Sequence, residues 1–255
     1  MKLLASDYDG TLCYGDNVMD EDIDAIKRWR EAGNLFVVCT GRAKESIDKQ
    51  IAKHPFPVDY IVCNNGALVY NNEGELLQSI YMDYITSVDL MFIAKESEGV
   101  VSYVVNDGER RHKIIVNPDM QDYRYPTMQP DMSEEEVMDI GRYTQIVLSM
   151  TSPDYAVEFA KDINSFFSST LVAYANNYCV DIVEKGISKA TGVEFVCGYA
   201  NIDYDDLYTI GDSYNDLPLL ETSPNGYTIF TAPEELKNQA KNVYMSIKEL
   251  IDDIL

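Results

Sequence analysis

Lys2-Leu3-Leu4-Ala5-Ser6-Asp7-Tyr8-Asp9-Gly10-Thr11-Leu12 begins as an apolar run and stops on two carboxylates two positions apart. A run this short, bounded by a turn-forming glycine and almost without polar alternation, reads as a strand buried on both faces, Lys2 to Ser6. The same rhythm then repeats. Asp20 to Ala32 reads as a helix ended by Gly33, and Leu35 to Cys39 as a second strand. Ala43 to Lys53 reads as a helix stopped by Pro55 and Pro57, and Val58 to Cys63 as a third strand. Consecutive strand–helix units predict an α/β fold with a doubly wound, Rossmann-like parallel sheet.

The rhythm breaks near residue 80, after a hairpin around Tyr70-Asn71-Asn72-Glu73-Gly74-Glu75-Leu76. A helix near Ile85 to Glu96 precedes two strands joined at Asn106-Asp107-Gly108. A Pro- and Met-rich connection through Gln129-Pro130 then leads to a helix from Ser133. Strand Gln145 to Met150, helix Pro153 to Phe167, and strands Leu171 to Tyr174 and Tyr178 to Val183 complete the segment. Strand-turn-strand pairs predict an antiparallel sheet here. From Gly186 the earlier pattern returns: helix Ser188 to Tyr199, strand Leu207 to Ile210, helix Asn215 to Leu220, strand Tyr227 to Phe230 and two closing helices. The expectation is a core of residues 1 to 82 and 184 to 255 interrupted by an inserted α/β domain, 83 to 183.

The chain has 255 residues, 46% of them hydrophobic, enough for two modest cores. Its formal charge of −23 repels nucleic acid and anionic membrane surfaces, so neither is expected as a partner. A phosphate ester is repelled too, unless a local positive centre such as a carboxylate-bound divalent cation draws it in. Cys13, Cys39, Cys63, Cys179 and Cys197 are widely spaced and lack a zinc-type C-x-x-C, which predicts buried reduced thiols. The N-terminus reaches Asp7 before an apolar h-region forms, and no stretch approaches the roughly 18 apolar residues of a membrane span. The expected location is cytoplasmic.

Four groups of polar residues stand where strands end. Asp7 and Asp9, at i and i+2, are expected on one side of the pleat, facing the crevice at the carboxyl end of the sheet where such folds bind ligands. Carboxylates this close need a cation between them or a shared proton, although D-x-D-G also reads as a solvated turn. Thr40-Gly41-Arg42 offers a hydroxyl and free N–H groups at a strand-to-helix turn, an anion site or simply a helix cap. Gly211-Asp212-Ser213-Tyr214-Asn215-Asp216 supplies hard oxygen donors suited to Mg²⁺, or another cap. Asn64-Asn65-Gly66 either orients a ligand through the Asn65 amide or builds a turn. Lys189, at a helix start where the dipole favours acids, calls for pairing with carboxylates and a phosphate, unless it is a surface lysine.

These elements, D-x-D-G-T, T-G-R, G-x-S-K and G-D-S-x-N-D, resemble in order and spacing the four motifs of the haloacid dehalogenase (HAD) superfamily, and the layout is similar to its Cof-type sugar-phosphatase branch. The resemblance implies that Asp7 attacks phosphorus to form an aspartyl-phosphate. Asp9 would act as acid and then base, its main-chain carbonyl helping to hold the metal. Thr40 and Gly41 would bind the phosphoryl group, with Asn65 beside them, and Lys189 would bridge that group to Asp7. Asp7, Asp9 and Asp212 would hold Mg²⁺, with Asp216 either a further ligand or a support behind the ligands, and Asn215 supporting Asp212 and Asp216. The insertion would be a cap that selects the leaving group. An acid at Asp9 marks phosphatases and phosphomutases within the superfamily, whereas the Ile229-Phe230-Thr231-Ala232-Pro233-Glu234 stretch departs from the usual turn after the fourth motif.

The implied activity is hydrolysis of a small phosphorylated metabolite, such as a sugar phosphate. A phosphosugar mutase, or a non-catalytic sugar-phosphate sensor on the same fold, are the alternatives. Arg110-Arg111-His112-Lys113, a basic cluster in an acidic protein, offers the insertion a contact to a substrate hydroxyl or second phosphate, or else forms a hairpin strand with solvated basic side chains. Oligomeric state is not legible in the sequence.

Overall fold

The computed structural model describes residues 1–255. Strand β1 (Leu3–Asp7) is buried throughout, as its unbroken apolar run requires. A short hairpin absent from the sequence reading follows, β2 (Cys13–Tyr14) and β3 (Asn17–Val18). Helix α1 (Asp20–Glu31) has Asp20, Glu21 and Asp22 in its first turn and Arg28 and Arg30 in its last, each at the end of the dipole that favours its charge. It buries Ile23, Ile26 and Trp29, and Gly33 beyond it takes the left-handed φ of +84°. Then come β4 (Leu35–Cys39), α2 (Lys44–Lys53), β5 (Tyr60–Cys63), β6 (Leu68–Asn71) and β7 (Leu76–Ser79).

The insertion contains α3 (Tyr84–Glu96), β8 (Val100–Asn106), β9 (Arg111–Ile115), α4 (Glu134–Asp139), β10 (Gln145–Met150), α5 (Pro153–Phe166), β11 (Leu171–Asn176) and β12 (Cys179–Glu184). The chain returns through α6 (Lys189–Ala200), β13 (Leu207–Gly211), α7 (Leu217–Glu221), β14 (Gly226–Ile229), α8 (Glu234–Lys237), β15 (Val243–Tyr244) and α9 (Ile247–Ile254). The expected helix from Asn215 begins instead as a 3₁₀ turn, Tyr214–Asp216, before α7.

Residues 1–78 and 188–255 form one unit and residues 79–187 the other. Residues 79–82 and 184–187, which the sequence reading assigned to the core, group with the insertion. Met82 lies in the insertion's apolar core, its N–H donates to the Tyr143 carbonyl, and Glu184 accepts the N–H of Asp83.

The first unit is built on an eight-stranded sheet in the order β15-β14-β13-β1-β4-β5-β6-β7. From β15 to β5 every pairing is parallel, and β6 is antiparallel to β5. Alternation along β1 sends Leu4 to a cluster with Trp29, Phe36, Ile47 and Ile251, and sends Leu3 and Ala5 to a cluster with Val193, Val196 and Leu219. The sheet is therefore covered on both faces, by α1, α2 and α9 on one and by α6 and α7 on the other. Asp7 shares parity with Leu3 and Ala5, which turns its side chain toward the α6 face.

In the second unit the order is β11-β12-β10-β8-β9, antiparallel throughout. One face carries Tyr103, Val105, Ile146, Leu148, Val180 and Ile182 against apolar residues of α3, α4 and α5. All five cysteines are free and buried. No helix is long and apolar enough to cross a membrane.

Candidate active site

The site forms because parallel neighbours end together. The β1 register places Asp7 opposite Cys39 at the end of β4, and Ser6 opposite Ile210 near the end of β13. The residues that follow those strands, Thr40-Gly41-Arg42 and Asp212, therefore meet Asp7 at one edge. Loop 8–12 comes close to Asp212: a Cβ at Gly10, whose φ is +93°, would lie 2.5 Å from the Asp212 Oδ2. Only glycine fits there.

Lys189 is the first residue of α6, whose N-cap is Ser188 in a capping box with Thr191. Its ammonium lies 2.6 Å from Asp7 Oδ1 and 2.6 Å from Asp216 Oδ1. All three side chains are almost wholly buried. That pairing accounts for a lysine placed against the helix dipole. Asp216 is fixed in turn, because its Oδ2 accepts the N–H groups of Asp212 and Ser213, each at 3.1 Å. The Thr11 hydroxyl donates to Asp212 Oδ1 at 2.9 Å.

Asp7, Asp212 and Asp216 each place a carboxylate oxygen within 4.8 Å of the others. Three acids against one ammonium leave the cluster short of positive charge. The electrostatics register the deficit. Burial pushes the Asp7 carboxyl well up, against the pull of Lys189 and with Asp216 and Asp212 adding to the rise. Burial and then Asp216 raise Asp212 to about 6. For Lys189, burial alone would lower its affinity for the proton, but Asp216 and Asp7 outweigh it and hold the ammonium charged. Asp7 Oδ2 is buried with no hydrogen-bond partner. An orphaned carboxylate oxygen beside two further acids fits Mg²⁺, a hard cation that takes few carboxylates and completes its shell with other oxygens.

Asp9 stands apart from this cluster. Arg42 grips it bidentately, Nε on Oδ2 at 2.7 Å and Nη2 on Oδ1 at 2.6 Å, with the Asp9 side chain 44% exposed. The expectation that four acidic side chains gather, Asp7 and Asp9 on one side of a pleat, is corrected to three. β1 ends at Asp7, so strand alternation does not extend to residue 9.

Thr40 is buried, and its hydroxyl accepts the N–H of Arg42 at 3.1 Å. It does not cap α2, whose N-cap is Ala43. Asn64, Asn65 and Gly66 take φ of +48°, +53° and +109° in succession. Strain of this kind in non-glycine residues concentrates at functional sites. A Cβ on Gly66 would fall 2.0 Å from the Ser188 carbonyl oxygen, so the turn is pressed against the residue preceding Lys189. Asn65 N–H donates to the Thr40 carbonyl at 3.0 Å, and its Oδ1 accepts from Asn215 Nδ2 at 3.2 Å. Its Nδ2 is buried without an acceptor, and a Cβ on Gly41 would sit 3.2 Å from that nitrogen. The unspent donor beside Gly41, on an amide held by Asn215 whose own Oδ1 is unspent, leaves hydrogen-bonding capacity for a ligand.

The sequence reading did not assign Thr11 or Arg42 a role, although both stand inside the motifs it quoted. The basic cluster of the insertion is not solvated throughout. His112 is buried, with its ring nitrogens 3.0 Å from Asp131 Oδ2 and 3.3 Å from Asp107 Oδ2. Lys113 is buried on Asp122 at 2.7 Å and on the Tyr125 carbonyl at 2.7 Å.

A family model described as haloacid dehalogenase-like hydrolase matches residues 4–250. The 5-amino-6-(5-phospho-D-ribitylamino)uracil phosphatase YwtE of Bacillus subtilis is 23% identical, over 98% of this chain and 94% of that protein. Phosphatase YwpJ of the same organism is also 23% identical, over 98% of this chain and 96% of its own length. Among solved structures, a HAD/COF-like hydrolase from Plasmodium vivax superposes with a TM-score of 0.86 at 22% identity, covering 100% of this chain and 95% of the other. A HAD-superfamily phosphatase from Bacteroides thetaiotaomicron superposes with a TM-score of 0.84 at 22% identity, covering 100% and 94%. On the strength of the family match across nearly its whole length, the chain belongs to the haloacid dehalogenase-like hydrolases.

Proposed function

We propose that the protein is a Mg²⁺-dependent phosphatase that hydrolyses a small phosphate monoester through an aspartyl-phosphate on Asp7. The observation that carries this reading is the division of labour on Asp7: Oδ1 is anchored by Lys189, while Oδ2 is buried, unpartnered and set among Asp212 and Asp216. A structural carboxylate would have both oxygens satisfied.

Asp7, Asp212 and Asp216, with the main-chain carbonyl of Asp9, would hold Mg²⁺, which supplies charge neutralisation for the phosphoryl oxygens. Lys189 fixes the nucleophile and lends positive charge where negative charge gathers. Thr40, the N–H of Gly41 and the free Asn65 Nδ2 bind phosphoryl oxygens, and Asn215 holds the Asn65 amide in orientation. Asp7 then bonds to phosphorus as the ester P–O bond breaks, and the departing oxygen takes a proton from Asp9. In the second step Asp9 removes a proton from water, the water oxygen bonds to phosphorus and the Asp7–phosphorus link breaks. Both Asp9 oxygens accept from Arg42 in this structure, which fixes the orientation of the carboxyl group and leaves one lone pair on each oxygen for the proton. The inserted unit would select the leaving group, and the relative named for 5-amino-6-(5-phospho-D-ribitylamino)uracil favours a metabolite-sized substrate.

The test is phosphate release from an aryl phosphate and a sugar-phosphate panel, with and without Mg²⁺, for wild type and Asp7→Asn. Release that needs both the cation and Asp7 supports the reading, and release unchanged in Asp7→Asn overturns it. Isomerisation of a hexose phosphate primed by a bisphosphate would indicate a mutase instead, and binding without turnover a sensor.

A further inference from the structure

The parallel strands have a second edge, at their amino ends, which the catalytic cluster leaves unused. Leu35 opens β4 and Tyr60 opens β5, and α6 finishes at Tyr199 and Ala200. There Leu35, Asp59, Tyr60 and Tyr199 line a cavity of about 200 Å³ together with Glu73, from the turn between β6 and β7. All five belong to the unit of residues 1–78 and 188–255. Lys189 stands at the other end of α6, a helix of 12 residues and so about 18 Å long. The cavity is therefore separate from the acid cluster around Asp7.

Two of its walls are aromatic. Tyr60 and Tyr199 meet edge to face, with ring centres 6.1 Å apart and planes at 79°, and Phe195 stacks on Tyr199 at 6.1 Å. Burial, with Tyr199 and Asp59 adding to it, raises the Tyr60 phenol, which keeps that wall uncharged. The remaining chemistry is negative, since no lysine or arginine lines the cavity. Arg30 already takes both oxygens of Asp59, which also accepts the Phe36 N–H. Glu73 has no such compensation: its N–H donates to Asn71 Oδ1, but its carboxylate forms no ion pair. The end of α6 adds to the imbalance. A helix carries partial negative charge at its C-terminus, and α6 has no basic residue in its last turn, whereas α1 ends with Arg28 and Arg30.

Ring faces, an unbalanced carboxylate and a bare helix end together suit an organic cation. A phosphate or carboxylate ligand would be repelled, and a hydrated metal ion would gain little from the rings. The volume admits a short chain, because pockets for drug-sized molecules begin near 300 Å³. We propose that this cavity binds a small alkylammonium ion, its charge held by Glu73 and the end of α6 and its stem lying against Tyr60 and Tyr199. The site shares no residue with the catalytic cluster, so it stands or falls apart from the phosphatase reading.

The experiment is isothermal titration calorimetry of the full-length protein with n-butylammonium chloride, and with n-butanol as the uncharged match. Salt is held at about 0.15 M, which screens exposed charges beyond about 8 Å. Wild type is expected to bind one butylammonium per chain and no butanol. Glu73→Gln and Tyr199→Ala should each weaken binding about threefold or more, and the double variant should lose it. Both side chains are exposed, so circular dichroism is expected to show native folding, and Glu73→Gln, in a turn, keeps the test decisive if Tyr199→Ala misfolds. Nα-acetyl-lysine methylamide, titrated alongside, separates two sources of the same chemistry: binding at least as tight as butylammonium assigns the site to a lysine side chain, and weaker binding to a free amine. Equal heats from butanol, several equivalent sites per chain, or an affinity unchanged in both variants would show only diffuse attraction to a chain of charge −23, and would overturn the site.

Discussion

Lys189 Nζ lies 2.6 Å from Asp7 Oδ1, two almost wholly buried charges brought together from positions 182 residues apart. The same ammonium holds Asp216. Replacing it by Met keeps the length of the side chain and removes the only cation that balances the three clustered acids in this structure. Stranding buried charge in this way costs about 3–5 kcal/mol. Lys189→Met is therefore expected to lower the free energy of unfolding by that amount in urea at neutral pH, and to abolish phosphate release. Unchanged stability would mean that the carboxylates find other compensation.

Divalent cation should act on the fold as well as on the reaction. A ligand that binds only the native state stabilises it by about 2.7 kcal/mol at a hundredfold excess over its dissociation constant. Mg²⁺ is accordingly expected to raise the melting temperature of wild type. Asp212→Asn, which removes one of the three clustered carboxylates, should flatten that response. A response of equal size in Asp212→Asn would place the binding elsewhere.

The bidentate grip of Arg42 on Asp9 makes a different prediction, about leaving groups. Lysine cannot reproduce a two-pronged contact. Arg42→Lys should leave Asp9 poorly aimed, which affects esters whose leaving group needs a proton more than those whose leaving group departs unaided. We expect kcat for an alkyl phosphate to fall about tenfold or more, with a smaller loss for an aryl phosphate carrying an acidic phenol. Equal losses on both would show that Arg42 serves phosphate binding instead.

In the inserted unit, Asp122 organises one end of the sheet. It takes hydrogen bonds from Lys113, from the Ser102 and Ser149 hydroxyls and from the Tyr125 N–H. Burial pushes its carboxyl up, but those donors together outweigh burial and bring it down to about 2. A carboxylate depressed in the folded state contributes stability above its unfolded value, near 3.8, and that contribution is lost as pH falls toward 2. Asp122→Asn should destabilise the protein at pH 6 by on the order of 1–2 kcal/mol, after discounting for solvent screening, and by progressively less between pH 4 and 2. A loss of equal size at both ends of that range would assign the effect to packing.

The parts that could be read from sequence were those in which one residue type at one position has a single physical use. Runs of apolar residues ending at Ser6, Cys39 and Ile210 pointed to the parallel sheet, and the acids or small polar residues after them marked the candidate site. Lys189 stood out because it opposes a helix dipole. What escaped depends on exact geometry. Strand alternation was extended two residues past the end of β1, which misplaced Asp9. Arg42 was visible, but nothing in its sequence neighbourhood names Asp9 as its partner. His112 and Lys113 looked like surface charges, because the acids that bury them, Asp131 and Asp122, arrive from a connection with no regular pattern.

The claim that Asp7 bonds covalently to phosphorus is tested most directly by acid-quenching Asp9→Asn enzyme during turnover of an aryl phosphate with Mg²⁺. This variant slows the water-dependent second step, and the position of any phosphoryl group can be mapped by mass spectrometry. The account predicts a hydroxylamine-sensitive phosphoryl adduct on the peptide containing Asp7, absent in the Asp7→Asn, Asp9→Asn double variant. An adduct on any other residue, or steady turnover by Asp9→Asn with no adduct at Asp7, would contradict it.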